Sequence, residues 1–103
     1  MALDIAILGE DGRPEVGVQI RVAPHVRLMV LVEEARLPLL HRLKDFYEDA
    51  DFAAGELGTL LEEVGIALER SHGDSELVEF LLALQGLATT AIRKGTGLAV
   101  IAD

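Results

Sequence analysis

Hydrophobic and polar positions alternate in two short runs near the start of the chain, residues 3–8 and residues 16–22. A period of two is typical of strands that bury one face. Between the runs lies Asp11-Gly12, a pair that favours the two-residue type I′ turn of a β-hairpin. A hairpin closed by this turn collects the large apolar side chains, except Leu8, on one face of the sheet. The predicted cross-strand pairs are Leu3 with Ile20, Ile5 with Val18, and Ile7 with Val16.

After the hairpin the hydrophobic spacing changes to three and four residues, the period of amphipathic helices. It predicts a first helix from His25 to Leu37, with Pro24 at its first position. A third strand over residues 26–32 is the alternative, because this run contains three valines. The charged sequence of residues 33–36 favours the helix.

A second helix is predicted to open at Pro38 and to end near Glu48, with Asp51 as the N-cap of the next helix. On this second helix His41 precedes Asp45 by four residues, so we expect an ordinary contact between their side chains. Its apolar stripe, which places Phe46 in the core, consists of Leu39, Leu40, Leu43, Phe46 and Tyr47.

Two further helices and a closing strand complete the pattern. The helices are predicted from Glu56 to Arg70 and from Asp74-Ser75 to about Lys94, the latter apolar on most sides and therefore the most buried. Leu98 to Ala102 reads as a strand that joins the hairpin. The sequence thus predicts an α+β fold, in which a small sheet packs against about four helices, and residues 1–103 form one compact domain.

Negative charge is concentrated in the middle third of the chain. The formal net charge is −9, and residues 45–79 carry eleven acidic residues against a single base, Arg70. A one-sided field of this kind favours a cationic partner and repels phosphate backbones and anionic lipids. We therefore expect a basic protein partner and no binding to nucleic acid or membranes.

The chain has no cysteine, which excludes a disulfide framework, a thiolate nucleophile and cysteine-ligated zinc. No apolar run approaches the roughly 20 residues of a membrane span, and the N-terminus lacks the basic lead of a secretory signal. We expect a soluble, cytoplasmic protein.

The densest acidic segment, residues 45–56, also holds three of the four aromatic residues. Clustered carboxylates suit calcium or magnesium, but a calcium loop counted from Asp49 has Ala54 in place of the required glycine and Leu60 in place of the bidentate glutamate. A solvated helix end is the simplest interpretation, and a protein-binding surface is the functional one. The predicted partner-binding residues are Asp45, Tyr47, Glu48, Asp49, Asp51, Phe52 and Glu56.

Catalytic and cofactor motifs are missing from the sequence. The histidines His25, His41 and His72 are isolated and form no local ligand pair. Neither serine lies in a nucleophile elbow, and the glycine-rich residues 95–97 follow a helix and precede a strand, the reverse of a phosphate-binding loop. We predict no catalytic residue, no metal ligand and no cofactor.

Size and charge together predict a small acidic binding protein. By analogy, such a protein resembles the small acidic inhibitor or immunity proteins that present carboxylates to the phosphate-binding groove of basic nucleases. One alternative is a divalent-metal-binding or hydrolytic enzyme that uses Asp45, Glu48, Asp49 and a histidine. Another is a self-associating structural protein, a homodimer formed through a sheet edge or an apolar helix face.

Overall fold

In the computed structural model, which describes residues 2–102, a four-stranded antiparallel sheet packs against three α-helices. The fold class is α+β, as predicted, although this part of the chain has three helices and not about four. Two short 3₁₀ turns, Leu40–Leu43 and Ala54–Glu56, lie between the longer elements. The strands are β1 (Ala2–Leu8), β2 (Pro14–Arg21), β3 (Ala50–Phe52) and β4 (Leu98–Ala102), and the helices are α1 (Val22–Ala35), α2 (Leu57–Arg70) and α3 (Ser75–Lys94).

The N-terminal hairpin has the predicted register, with Leu3 opposite Ile20 and the other two predicted pairs also formed. Its turn differs from the prediction. Gly12 donates its N–H to the Gly9 carbonyl at 3.0 Å and is the turn residue with positive φ, at 77°. A type I′ turn needs two such residues, so the two-residue turn was wrong. A longer turn and a bulge beside Leu8 together restore the register.

Residues 26–32 are helical, which settles the choice between helix and strand. α1 begins at Val22, earlier than predicted, and Pro24 still lies in the first turn, where its missing N–H has no intrahelical acceptor. The helix ends at Arg36, whose φ of 56° lies in the left-handed region that favours glycine. Leu37 then donates its N–H to a carbonyl of the last helical turn, the pattern of a Schellman cap.

The second predicted helix is reduced to the 3₁₀ turn Leu40–Leu43. The chain then makes turns and enters β3, so Asp51 lies in a strand and is not a helix N-cap. β3 pairs with β4, a strand interaction that the sequence did not predict. Gly97 permits this pairing, because a Cβ at that position would lie 2.2 Å from the carbonyl oxygen of Phe52.

The strand order is β2-β1-β4-β3, and all neighbours are antiparallel. The helices cover the face that carries Leu3, Ile5 and Val100, and these side chains belong to one hydrophobic core with the buried faces of all three helices. The opposite face of the sheet has no helix over it in the described part of the chain.

α2 and α3 agree with their predictions within one residue. Asp74 caps α3 through its side chain, which accepts the N–H of Leu77 at 3.3 Å. Among residues 2–102, α3 is the helix with the length and apolar composition of a membrane span. It packs against α2 and the hairpin, while Leu82 and Ile92 stay exposed.

Candidate functional site: an acidic loop anchored by two phenylalanines

Residues 45–51, here called the acidic loop, follow the first 3₁₀ turn and include the first two residues of the edge strand β3. Phe46 is buried, as predicted, and Phe52 immediately after the loop is only 1% exposed. Tyr47 lies between these anchors with 65% of its surface exposed, and its ring meets Phe46 edge to face at 5.6 Å. The two buried phenylalanines thus anchor the segment, and the Tyr47 side chain between them is exposed to solvent.

Two carboxylates inside the loop accept hydrogen bonds from backbone N–H groups. The Asp45 side chain accepts the N–H of Tyr47 at 2.9 Å and closes a local turn. The Asp49 side chain accepts the N–H of Ala102 at 2.8 Å, two positions beyond Val100, where the β3–β4 ladder ends. A side-chain oxygen therefore takes the place of a strand carbonyl there. Glu48 and Asp51 are exposed and form no ion pair with any residue that the structure describes.

Two predicted partner-binding residues have structural roles instead. Phe52 belongs to the hydrophobic core and is not available to a partner. Glu56 accepts two hydrogen bonds from Arg42, one of them 2.8 Å long, and a third from the N–H of Ala53 at 2.9 Å. The Arg42 hydrogen bond is the main cause that lowers the pKa of Glu56 to about 2, and the Ala53 N–H adds to it.

Arg42 holds three elements together, a role that the sequence did not reveal. Besides Glu56, which raises its pKa, it donates to the Asp51 carbonyl at 3.1 Å, and its guanidinium lies 5.6 Å from the centre of the Phe52 ring. These contacts cover the outer edge of β3. Because the partners lie 9 to 14 positions away and across an irregular segment, no local spacing indicates them.

Glu63 is the second residue that the sequence did not reveal. It is a buried carboxylate, 5% exposed, on α2. Its oxygens accept the N–H groups of Leu39 and Leu40 at 2.9–3.1 Å, which are free donors at the start of the first 3₁₀ turn. The helix α2 therefore fixes the turn that carries Arg42 and leads into the acidic loop.

Elsewhere the concentrated negative charge is partly neutralised. Arg27 of α1 binds Asp74 at 2.9 Å and Glu76 at 3.0 Å, and the hydrogen bond from Arg27 lowers the pKa of Asp74. The exposed acids Glu62 and Glu69 on α2 and Glu79 on α3 form no ion pair with the described residues. In the acidic loop, Glu48 and Asp51 likewise form no ion pair with the described residues.

The histidines lie apart. His25 is buried, with its Nε2 at 2.5 Å from the carbonyl oxygen of Leu43 and its ring edge-on to Phe46 at 5.0 Å. The predicted contact of His41 with Asp45 does not form, because no helix joins them, and Nε2 of His41 lies 3.8 Å from Glu33 instead. Within residues 2–102 no three carboxylate, imidazole or thiol side chains converge on a point where a metal ion would bind.

The acidic loop thus combines an exposed aromatic side chain, Tyr47, with two exposed acidic residues, Glu48 and Asp51, in one short stretch of chain. Comparison of the chain with protein-family models, with curated proteins and with solved structures finds no match.

Proposed function

We propose that this protein is a small cytoplasmic binding module whose acidic loop docks a basic protein, and that it acts as an inhibitor of that partner in the manner of immunity proteins. The observation that carries the proposal is Tyr47, an exposed aromatic side chain braced against buried Phe46 and followed in the chain by the exposed residues Glu48 and Asp51, which form no ion pair with the described residues. Tyrosine contributes a large apolar surface at a small loss of conformational entropy, and it is enriched among interface hot spots.

The chemistry of this surface matches lysine and arginine. A cation over the Tyr47 ring gains a cation–π interaction, and the two carboxylates accept charge-assisted hydrogen bonds from the same side chains. The overall charge of −9 adds a long-range attraction that speeds encounter with a basic protein at low salt. Presenting carboxylates to a cationic groove is the means by which an inhibitor would occupy the site of a phosphate-bearing substrate.

The hydrolytic or metal-binding alternative requires Asp45, Glu48, Asp49 and a histidine at one point. Asp45 and Asp49 instead accept backbone N–H groups, and neither His25 nor His41 contacts them. The binding proposal is therefore the better supported of the two.

The proposal is tested by affinity capture from host extract at low salt, with identification by mass spectrometry and reconstitution of the complex from two purified proteins. The variant Tyr47→Ala/Glu48→Lys/Asp51→Lys changes the exposed surface and spares Asp49, which holds the end of β4. Glu62→Lys/Glu69→Lys on α2 is the control with the same change in charge. We expect the wild type and the control to bind a basic protein and to inhibit it if it is an enzyme. Equal binding by the loop variant contradicts the proposal.

Self-association is a second candidate, favoured by a different observation. Val22, Val26 and Val30 follow one line along α1 and are 48%, 56% and 54% exposed. Three half-exposed valines are a small part of the roughly 800 Å² per partner that a stable interface buries, so this stripe favours at most a weak dimer. Light scattering over a range of concentrations, with Val26→Glu as the variant, tests it. A mass that stays monomeric eliminates this function.

A further inference from the structure

We propose that the basic partner segment docks not only on the acidic loop but also across the uncovered face of the sheet, in a trough floored by small residues and flanked by Asp4 and Asp51. This inference rests on the proposed function and extends it by naming the surface and the chemistry of its occupant, a segment of the partner rich in lysine and arginine.

The register of the strands places the residues of the trough next to one another. Residues that alternate with the buried ones point to the uncovered face, and opposed residues on neighbouring strands lie side by side. Ala6 is opposite Gly17 on one side and Ala99 on the other, and Ala99 is opposite Asp51. A row of three small residues therefore crosses β2, β1 and β4 and ends at a carboxylate of the acidic loop.

The next row of residues along the strands has longer side chains. Asp4 lies at its centre, between Gln19 on β2 and Ile101 on β4. These longer side chains form one wall of an open groove of about 570 Å³, in which Ala6 and Gly17 lie at the base. A row without large side chains allows another polypeptide backbone to approach the sheet closely.

Asp4 is the unusual residue of this face. Aspartate is disfavoured in strands, and Asp4 occupies the middle of a central strand with an apolar neighbour, Ile101. Its carboxylate forms no hydrogen bond or ion pair with any residue from 2 to 102, although its surface is already partly covered. A local conflict with strand propensity that no contact inside the fold explains is typical of a functional position.

Charge selects the occupant. The uncovered face carries Asp4 and Asp51 with Arg21 as the basic residue at its far end, and it continues into the acidic loop. A second copy of the chain would bring two molecules of charge −9 together at their carboxylates, and nucleic acid or anionic lipid would be repelled. A basic protein segment is attracted by Asp4 and Asp51, is repelled by Arg21 alone, and meets the acidic loop at the Asp51 end.

The experiment is a titration of the isotope-labelled protein with a short peptide of alternating lysine and alanine, followed by amide chemical shifts at low and physiological salt. We expect shifts in β1, β4 and the acidic loop and few in α2. The variants are Asp4→Asn and Asp51→Asn, which keep the side-chain shape, and Ala99→Phe, which fills the trough. Glu69→Gln on α2 is the matched control, and Tyr47→Ala reports on the acidic loop. Thermal melts establish that each variant is folded.

Support requires that Asp4→Asn and Asp51→Asn each weaken peptide binding about two- to fivefold, the range of a surface charge pair, while Glu69→Gln does not. Loss of binding in Tyr47→Ala with none in Asp4→Asn or Ala99→Phe overturns this inference and leaves the proposed function standing. An equal loss in Glu69→Gln means that the peptide senses net charge alone, which overturns both. Concentration-dependent dimers that Ala99→Phe dissociates assign the face to a second copy and also overturn the inference. Should Ala99→Phe not fold, the two asparagine variants decide.

Discussion

Replacing Glu63 by glutamine removes the charge of the one buried carboxylate in the described chain and almost nothing else. In the wild type its two oxygens serve two backbone N–H groups, those of Leu39 and Leu40, through three contacts of 2.9–3.1 Å. Glutamine keeps one oxygen, and its NH₂ group turns a donor towards donors. The oxygen Oε1 alone accepts both N–H groups, so with the glutamine oxygen at that position two hydrogen bonds to a charged group become neutral ones, and the NH₂ group at the Oε2 position faces the N–H of Leu39.

The expected magnitude follows from these two losses. Weakening two charged hydrogen bonds to neutral ones and setting an NH₂ donor against the Leu39 N–H together cost about 2–4 kcal/mol. The neutral amide is easier to bury than a carboxylate, which offsets part of this, so we expect a net loss of about 2 kcal/mol in the free energy of unfolding. For a domain of this size that lowers the melting temperature by roughly 8 °C.

The assay is urea and thermal unfolding followed by circular dichroism, with Glu62→Gln as the control. Glu62 is the preceding residue of α2, is exposed and forms no ion pair with the described residues, so its substitution is expected to change stability by less than about 0.5 kcal/mol. Hydrogen exchange at the amides of Leu39 and Leu40 gives a local readout and should accelerate in Glu63→Gln alone. Equal stabilities for the two variants, with unchanged exchange at both amides, would refute the assignment of Glu63 as the cap of the 3₁₀ turn.

Three further predictions concern single positions. Gly97→Ala forces a Cβ against a carbonyl of β3 and should destabilise the protein by about 2–4 kcal/mol. Gly65→Ala, in open space inside α2, should instead stabilise it by up to about 1 kcal/mol. Urea unfolding midpoints that move in the same direction for the two variants contradict this prediction. Arg36→Gly relieves the left-handed backbone and should stabilise by roughly 0.5–1 kcal/mol, whereas Arg36→Ala keeps the strain, so an equal gain in both refutes strain as the cause. The pKa of Glu56 is lowered from 4.5 to about 2 in the folded state, so its stabilising effect is complete above pH 4.5 and is lost as the pH falls towards 2. Glu56→Gln should therefore be less stable than the wild type at neutral pH, and the two should converge across that window; a difference that stays constant there contradicts the role of Arg42.

Local patterns predicted those parts of the fold in which the controlling contacts are short-range. Cross-strand hydrophobic matching was enough for the hairpin register, and capping together with helical periodicity was enough for α2 and α3. Between Pro38 and Glu56 the periodicity predicted a helix, and the structure has a 3₁₀ turn, the acidic loop and a strand. There the conformation is set by contacts from far along the chain: Glu63 on two N–H groups, and Asp49 on β4.

The candidate site shows the same division. Clustering of charge with aromatic residues located the acidic loop, and helical spacing assigned Phe46 to the core correctly. The sequence pattern could not separate Tyr47, which is exposed, from Phe52, which is buried, because Phe52 lies in β3, a strand that forms only by pairing with β4. For the same reason the sequence could not predict on which face of the sheet Asp51 lies, because the register of the β3–β4 pair determines it.

The two inner strands of the sheet, β1 and β4, come from opposite ends of the described chain, with Leu3 opposite Ala102. Closing so long a loop opposes folding by roughly 4 kcal/mol of chain entropy, about twice that of a short hairpin. During synthesis the β1–β2 hairpin can form early, but the inner edge of β1 stays unpaired until residues 98–102 have left the ribosome. Completion of this sheet therefore waits for translation to reach β4, and until then that open edge is where a nascent chain would pair with another chain or engage a chaperone.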